Sequence, residues 1–190
     1  SSDLADQIAD LARDIYKRER ERAANRGSEI HDAIERFLSR GEVSADPIEA
    51  AAQRAVYEWQ ASNGLTHGHP EHCLYFKGVI APFSTQVTFG GTTDWISPGV
   101  IADYKTVEAD KRGKFWTGKA THCAQLAGYR LAGAQMGLCD PKARCVNLYV
   151  NRLDGALVGV TEWTAAQLNA GAELVALACR AGTLTERIEG

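Results

Sequence analysis

Hydrophobic positions recur every three or four residues through the first sixty residues, which is the spacing of an amphipathic helix. We predict three helices there, separated by the Asn25-Arg26-Gly27 segment and by Gly41, over residues 3–24, 28–39 and 47–62. Ser28 is a suitable N-cap for the second helix, and Pro47 suits the first turn of the third.

From about residue 72 the pattern changes to alternation and short apolar runs, which are typical of strands. We predict five strands, at residues 72–77, 85–96, 100–106, 144–151 and 157–163. A helix at 117–136 separates the third strand from the fourth, and a last helix follows at 164–181. This order predicts an α/β fold with a central mixed β-sheet flanked by helices. We expect a single domain over residues 1–190, with an N-terminal helical part at about 3–62 and an αβ core at about 71–181.

Composition narrows the class of protein without identifying it. The chain has 190 residues, 45% hydrophobic and 24% charged, which are ordinary values for a globular domain. Its net charge of −3 provides no general attraction to nucleic acid. Five cysteines without a Cys-x-x-Cys pair argue against a disulfide framework and for a reducing compartment. With neither a signal peptide nor a membrane-length apolar run in the pattern, we expect a cytoplasmic protein without a membrane partner.

The most distinctive chemistry lies in a predicted hairpin that contains Asp94 and the triplet Asp103-Tyr104-Lys105. Because side chains alternate along a strand, Asp103 and Lys105 share one face and Tyr104 lies on the other. Two carboxylates beside an ammonium suit a hard cation such as Mg²⁺ and an oriented water molecule. The alternative is an ordinary solvated ion pair on an exposed strand, which has little energetic effect.

Two helical pairs add candidate groups at one-turn spacing. His31 and Glu35 share a face of the second predicted helix, and imidazole is a ligand that Mn²⁺ accepts more readily than Mg²⁺ does. Gln125 and Tyr129 share a face of the long helix and could reach one groove. Each pair could equally be an ordinary helix surface.

A basic cluster follows the Asp-Tyr-Lys strand directly. It consists of Lys111, Arg112, Lys114 and Lys119. Such a cluster beside carboxylates is what a groove following a phosphate backbone would need, although a solvated face is the simpler interpretation. Phe115 and Trp116 lie within it and could stack on bases.

These motifs occur in a definite order: Gly-x-x-x-His-x-x-x-Glu, Gly-Thr-x-Asp, Asp-x-Lys and Gln-x-x-x-Tyr, over Gly27 to Tyr129. In this order the chain resembles the RecB-like branch of the PD-(D/E)XK nuclease superfamily, which includes CRISPR-associated and phage exonucleases. The resemblance implies a restriction-endonuclease-like core preceded by N-terminal helices. We expect this chain, unlike some relatives, to carry no helicase segment and to be a free-standing nuclease module.

The resemblance assigns roles to individual residues. It implies that His31, Asp94, Asp103 and the backbone carbonyl of Tyr104 hold Mg²⁺ or Mn²⁺, and that Lys105 orients the attacking water. It implies supporting or substrate-contacting roles for Gln125 and Tyr129, and places Glu35 and Glu71 near the metal. Some relatives carry an iron–sulfur cluster on four cysteines; Cys139 and Cys145 lack a close third partner, so we expect none here.

The resemblance therefore implies a metal-dependent DNA exonuclease acting on single strands or duplex ends in recombination, repair or phage DNA metabolism. A recombination or replication protein is a possible partner. Two alternatives remain open: a structure-specific endonuclease on the same fold, and a DNA-binding or assembly protein with a degenerate nuclease site.

Overall fold

The computed structural model describes the backbone of residues 2–65, 67–110 and 112–189, and the side chains of residues 17, 21–65, 67–110 and 112–182. Helices and strands alternate in blocks along this part of the chain. They are α1 (Ser2–Arg40), α2 (Pro47–Ser62), β1 (His69–Val79), β2 (Gln86–Ile96), β3 (Val100–Val107), α3 (Ala120–Gln135), β4 (Arg144–Asn151), β5 (Leu157–Glu162) and α4 (Ala165–Glu189).

The strands form one sheet in the order β1-β2-β3-β4-β5. Neighbouring strands are antiparallel except for β3 and β4, which run parallel. A parallel pair needs a crossover connection, and α3 lies in that connection. The chain is thus an α/β fold with a central mixed sheet flanked by helices, as the sequence predicts, and this arrangement is consistent with a restriction-endonuclease-like core.

Helices cover both faces of the sheet because the strand residues alternate between two apolar clusters. In β3, Ile101 belongs to one cluster and Ala102 to the other. The first cluster joins the sheet to α3 and α4 through side chains that include Leu126, Leu168 and Ala176. The second joins it to α1 and α2 through side chains that include Ile30, Ile34 and Val56.

The prediction of two helices within the first forty residues was wrong, because α1 runs unbroken from Ser2 to Arg40. Glycine inside a helix costs about 1 kcal/mol relative to alanine, which is why Gly27 suggested a break. Gly27 is instead buried, and a Cβ atom built on it would lie 2.7 Å from Thr106 Oγ1. Gly27 therefore lets α1 approach β3 closely, and the packing of Ile30 and Ile34 outweighs its low helix propensity.

The start of α3 also differs from the prediction. The helix begins at Ala120 rather than near Thr117, since Gly118 has a φ of +70° and Lys119 is extended. α4 continues to Glu189, beyond the predicted end near residue 181. No helix in the described ranges combines the length and apolar character needed to cross a membrane.

Candidate functional site

Asp94 lies where two strands separate. β2 and β3 pair only at Trp95↔Ala102 and Ile96↔Ile101, beside their connecting turn. Beyond that point the backbone N–H of Tyr104 donates to the side-chain oxygen Oδ2 of Asp94 rather than to a backbone carbonyl of β2. The carboxylate thus takes the place of a ladder hydrogen bond at the fork between the strands, and this fixes one of its oxygens beside β3.

Asp103 and Lys105 lie together on one face of β3, as the alternation predicts. Lys105 Nζ is 2.7 Å from Asp103 Oδ2, and Asp103 is only 2% exposed. Tyr104 is buried in the apolar cluster on the opposite face, where its hydroxyl accepts a hydrogen bond from Gln60 Nε2 at 3.1 Å. Asp103 is therefore a buried acidic group within β3, directly after the apolar residues 100–102, rather than a solvated surface residue.

α1 brings His31 to the same place. His31 Nδ1 lies 3.7 Å from Asp94 Oδ2. Burial alone would lower the pKa of His31, but its contact with the Asp94 carboxylate outweighs burial and raises that pKa. The structure therefore joins the histidine predicted from the helix to the aspartate predicted from the hairpin, which lies 63 positions further along the chain.

Of the predicted pair on α3, Gln125 contacts Lys105 directly and Tyr129 contacts Gln125. Lys105 Nζ donates to Gln125 Oε1 at 3.0 Å, and Gln125 Nε2 donates to Tyr129 Oη at 2.8 Å. Gly91 makes room for Tyr129, because a Cβ atom at Gly91 would lie 2.8 Å from Tyr129 Cε1. Asp103, Lys105, Gln125 and Tyr129 consequently form a continuous chain of polar contacts from β3 to α3.

The site concentrates negative charge. Burial, the nearby Asp94 and then Glu35 raise the pKa of Glu71 to about 7. Burial and Asp94 raise the pKa of Asp103 to about 6, against the opposing effect of Lys105. Glu71, predicted to lie near the metal, is thus an electrostatic neighbour of Asp94, and Glu35, predicted there too, is a neighbour of Glu71. Carboxylates that resist ionisation in this way favour a cation among them.

The donor chemistry fits a divalent cation, although its ligands are not assembled. Aspartate oxygens with one imidazole match Mg²⁺ or Mn²⁺, and the raised carboxyl pKa values of Asp103 and Glu71 agree with such an ion. Among the described side chains, those of residues 17, 21–65, 67–110 and 112–182, however, no three His, Cys, Asp or Glu residues converge as a group that could hold a metal ion. Metal binding therefore remains a prediction.

The described cations of the predicted basic cluster are all exposed, whereas its two aromatic residues differ in exposure. Arg112, Lys114 and Lys119 are exposed in or beside the loop between β3 and α3, whereas Lys111 lies outside the described residues. Phe115 is half-buried, while Trp116 is 60% exposed and has Lys114 Nζ 4.9 Å from its ring centroid. The structure thus singles out Trp116 as the ring available to a ligand.

The sequence analysis missed three residues that support the site, which are Asn147, Trp163 and Tyr149. Asn147 Nδ2 donates to Asp103 Oδ2 at 2.8 Å, and Asn147 Oδ1 accepts from Trp163 Nε1 at 2.7 Å. Tyr149 Oη accepts from the backbone N–H of Gly118 at 2.7 Å. A signal for Asn147 was present, because it interrupts the apolar run of residues 145–150 and buried polar residues need partners.

Comparison with known proteins gives distant structural similarity only. No family model matches the chain, and no curated protein matches it by sequence. A crystal structure of a protein named "Putative exonuclease" from Eubacterium rectale is similar at a TM-score of 0.49 and 11% identity, over 79% of this chain. This chain covers 63% of that protein. The crystal structure of SSO0001 is similar at a TM-score of 0.37 and 13% identity, over 75% of this chain and 68% of the other. At these scores the case for function rests on the site itself.

Proposed function

We propose that this chain is a divalent-metal-dependent DNA exonuclease of the RecB-like branch of the PD-(D/E)XK superfamily. The observation that carries the proposal is the position of Lys105, whose ammonium contacts Asp103 Oδ2 at 2.7 Å and Gln125 Oε1 at 3.0 Å. Asp94 and His31 lie beside this group from two other elements, 3.7 Å apart. A structural ion pair would need neither of them nor a buried carboxylate.

Each residue has a role that its contacts support. The side chains of His31, Asp94 and Asp103, with the Tyr104 carbonyl, would hold Mg²⁺ or Mn²⁺. The bound ion would supply an activated water and would stabilise negative charge on the phosphate.

Lys105 would orient the attacking water through its one remaining N–H group. Gln125 holds the lysine and is in turn held by Tyr129. The two helix residues thereby keep the ammonium in one position, which is the precision that a catalytic group requires.

The finer parts of the proposal rest on the motif resemblance. These are exonuclease over endonuclease action, DNA over RNA as substrate, and a role in recombination, repair or phage DNA metabolism in the cytoplasm. The exposed cations Arg112, Lys114 and Lys119 support a strand passing along the β3–α3 loop.

A DNA-binding protein that does not cut is the second candidate, and one observation favours it. Lys105 already neutralises the Asp103 oxygen that faces it, and the described side chains contain no ready group of three metal ligands. In this candidate the ammonium replaces the metal permanently.

Degradation of an end-labelled linear single strand, beside its closed circular form, separates the candidates. The exonuclease consumes the linear strand alone, with Mg²⁺ or Mn²⁺ and not with EDTA. Asp94→Ala and Asp103→Ala should abolish cleavage, whereas Glu173→Ala, which removes an exposed carboxylate on α4, should not. Cleavage of the circle would identify an endonuclease. Binding without cleavage under every metal condition would refute the proposal and favour the second candidate.

A further inference from the structure

The loop between β3 and α3 is held at both ends, although it carries an exposed tryptophan. Near its start, Asp110 Oδ1 accepts from the backbone N–H groups of Arg112 at 2.8 Å and Lys114 at 3.0 Å. At its end, Tyr149 Oη accepts from the Gly118 N–H and lies 3.1 Å from His122 Nδ1. These contacts hold the backbone of Arg112, Lys114 and Gly118 on either side of Trp116.

Trp116 is oriented within this loop. Hydrogen bonds from the backbone of Lys114 and Arg112, and from the Trp116 side chain, lower the pKa of the Asp110 carboxyl. The Lys114 ammonium lies 4.9 Å from the centroid of the Trp116 ring, a cation–π distance. Trp116 nevertheless remains 60% exposed, so these contacts hold the ring without covering it.

A groove lies between this ring and β3, the strand that carries Lys105. It has a volume of about 440 Å³ and is lined by Thr106, Val107, Glu108, Trp116 and Lys119. Thr106 directly follows Lys105 on β3, so the groove reaches the strand next to Lys105, although the Thr106 side chain lies on the opposite face, toward Gly27 of α1. The Lys105 and Lys119 ammonium groups also act together on His122, whose pKa burial and these two charges lower to about 4.

We propose that Trp116 is a base-stacking site for the nucleic-acid strand whose phosphate lies at Lys105. An aromatic ring beside cations is the combination that binds single-stranded nucleic acid, because each base offers a face to stack and each phosphate a charge to pair. Bases within a duplex are already stacked on one another, so the site selects an unpaired or frayed end. This inference rests on the proposed function for the presence of a strand in the groove.

Binding of a fluorescein-labelled single strand in EDTA tests the site without cleavage. Trp116→Ala should weaken binding about tenfold, equivalent to about 1.4 kcal/mol. Trp116→Phe should stay within about threefold of wild type, since the ring is retained. Tyr57→Ala is the matched control, because it removes another exposed aromatic ring, on α2, and should leave affinity unchanged.

A strand with abasic sites at its terminal positions distinguishes stacking from other losses. The Trp116→Ala penalty should disappear on that strand, since the protein ring and the base act as a coupled pair. Equal penalties on the normal and abasic strands, or none on either, would overturn the inference. Wild-type tryptophan emission should also be quenched by the normal strand, and this change should be absent in Trp116→Phe; unchanged wild-type emission would count against stacking.

The test separates this inference from the proposed function. Metal-dependent cleavage by wild type with unaltered binding by Trp116→Ala would retain the nuclease and reject the stacking site. Strand binding that depends on Trp116, without cleavage in any metal, would retain the stacking site and reject the nuclease.

Discussion

Asn147→Ala tests whether the buried polar contacts of β4 hold the site together. Asn147 is fully buried, and it links the Asp103 carboxylate at 2.8 Å to the Trp163 indole N–H at 2.7 Å. Its removal leaves the Trp163 donor without a partner, at about 1–3 kcal/mol, and removes a hydrogen bond to a charged group worth about 1.5–3 kcal/mol. Asp103 keeps Lys105, so we expect a loss of about 3 kcal/mol in the free energy of unfolding.

Urea denaturation in EDTA measures this loss. Trp163→Phe is the second single variant of a double-mutant cycle with Asn147→Ala. Trp163→Phe removes the indole N–H together with part of the buried ring, and should cost about 2–4 kcal/mol. The double variant should be more stable than the sum of the single losses predicts, by about 1–2 kcal/mol, because no orphaned Trp163 donor remains. Additivity within about 0.5 kcal/mol, or an Asn147→Ala loss below about 1 kcal/mol, would refute the argument.

The remaining predictions concern α1 and the candidate reaction. Gly27→Ala should lower the free energy of unfolding by about 1–3 kcal/mol in urea denaturation, since its Cβ would lie 2.7 Å from Thr106 Oγ1. Gly182→Ala, at an open helical position, is the control and should raise that free energy by up to about 1 kcal/mol. Equal effects of the two substitutions would contradict the packing argument. Lys105→Ala should lower the cleavage rate about 100-fold or more while calorimetry still detects metal, and lost metal binding would reassign the lysine. His31→Ala should weaken Mn²⁺ more than Mg²⁺ in metal titrations, whereas equal weakening would indicate a structural role.

Local patterns predicted the sheet and the order of its elements, because the relevant signals lie within a few residues of one another. The alternation in β3 correctly placed Asp103 and Lys105 on one face and Tyr104 on the other. The break predicted at Gly27 was wrong because a contact with a residue distant in sequence overrides the local signal. Helix propensity is local, but the contact that favours a continuous helix is with Thr106, far along the chain.

The candidate site was predictable as a set of residues and not as a geometry. Motif order brought together His31, Asp94 and Lys105, but no pattern shows that β2 and β3 separate after two residue pairs to admit the Asp94 carboxylate. Asn147 was missed because its partner Asp103 is its neighbour only in the parallel pairing of β3 with β4.

The electrostatics of the site argue that its carboxylates are arranged for a cation. A raised carboxyl pKa means that the folded protein disfavours the ionised group, so Asp103 and Glu71 oppose folding once they are charged. Lys105 and Asn147 offset part of this cost at Asp103, yet the pKa of that carboxyl stays above its ordinary value. Well-packed apolar residues in the same positions would avoid the cost entirely. The arrangement is advantageous if a divalent ion joins the carboxylates, because their attraction to the ion then outweighs the repulsion between them.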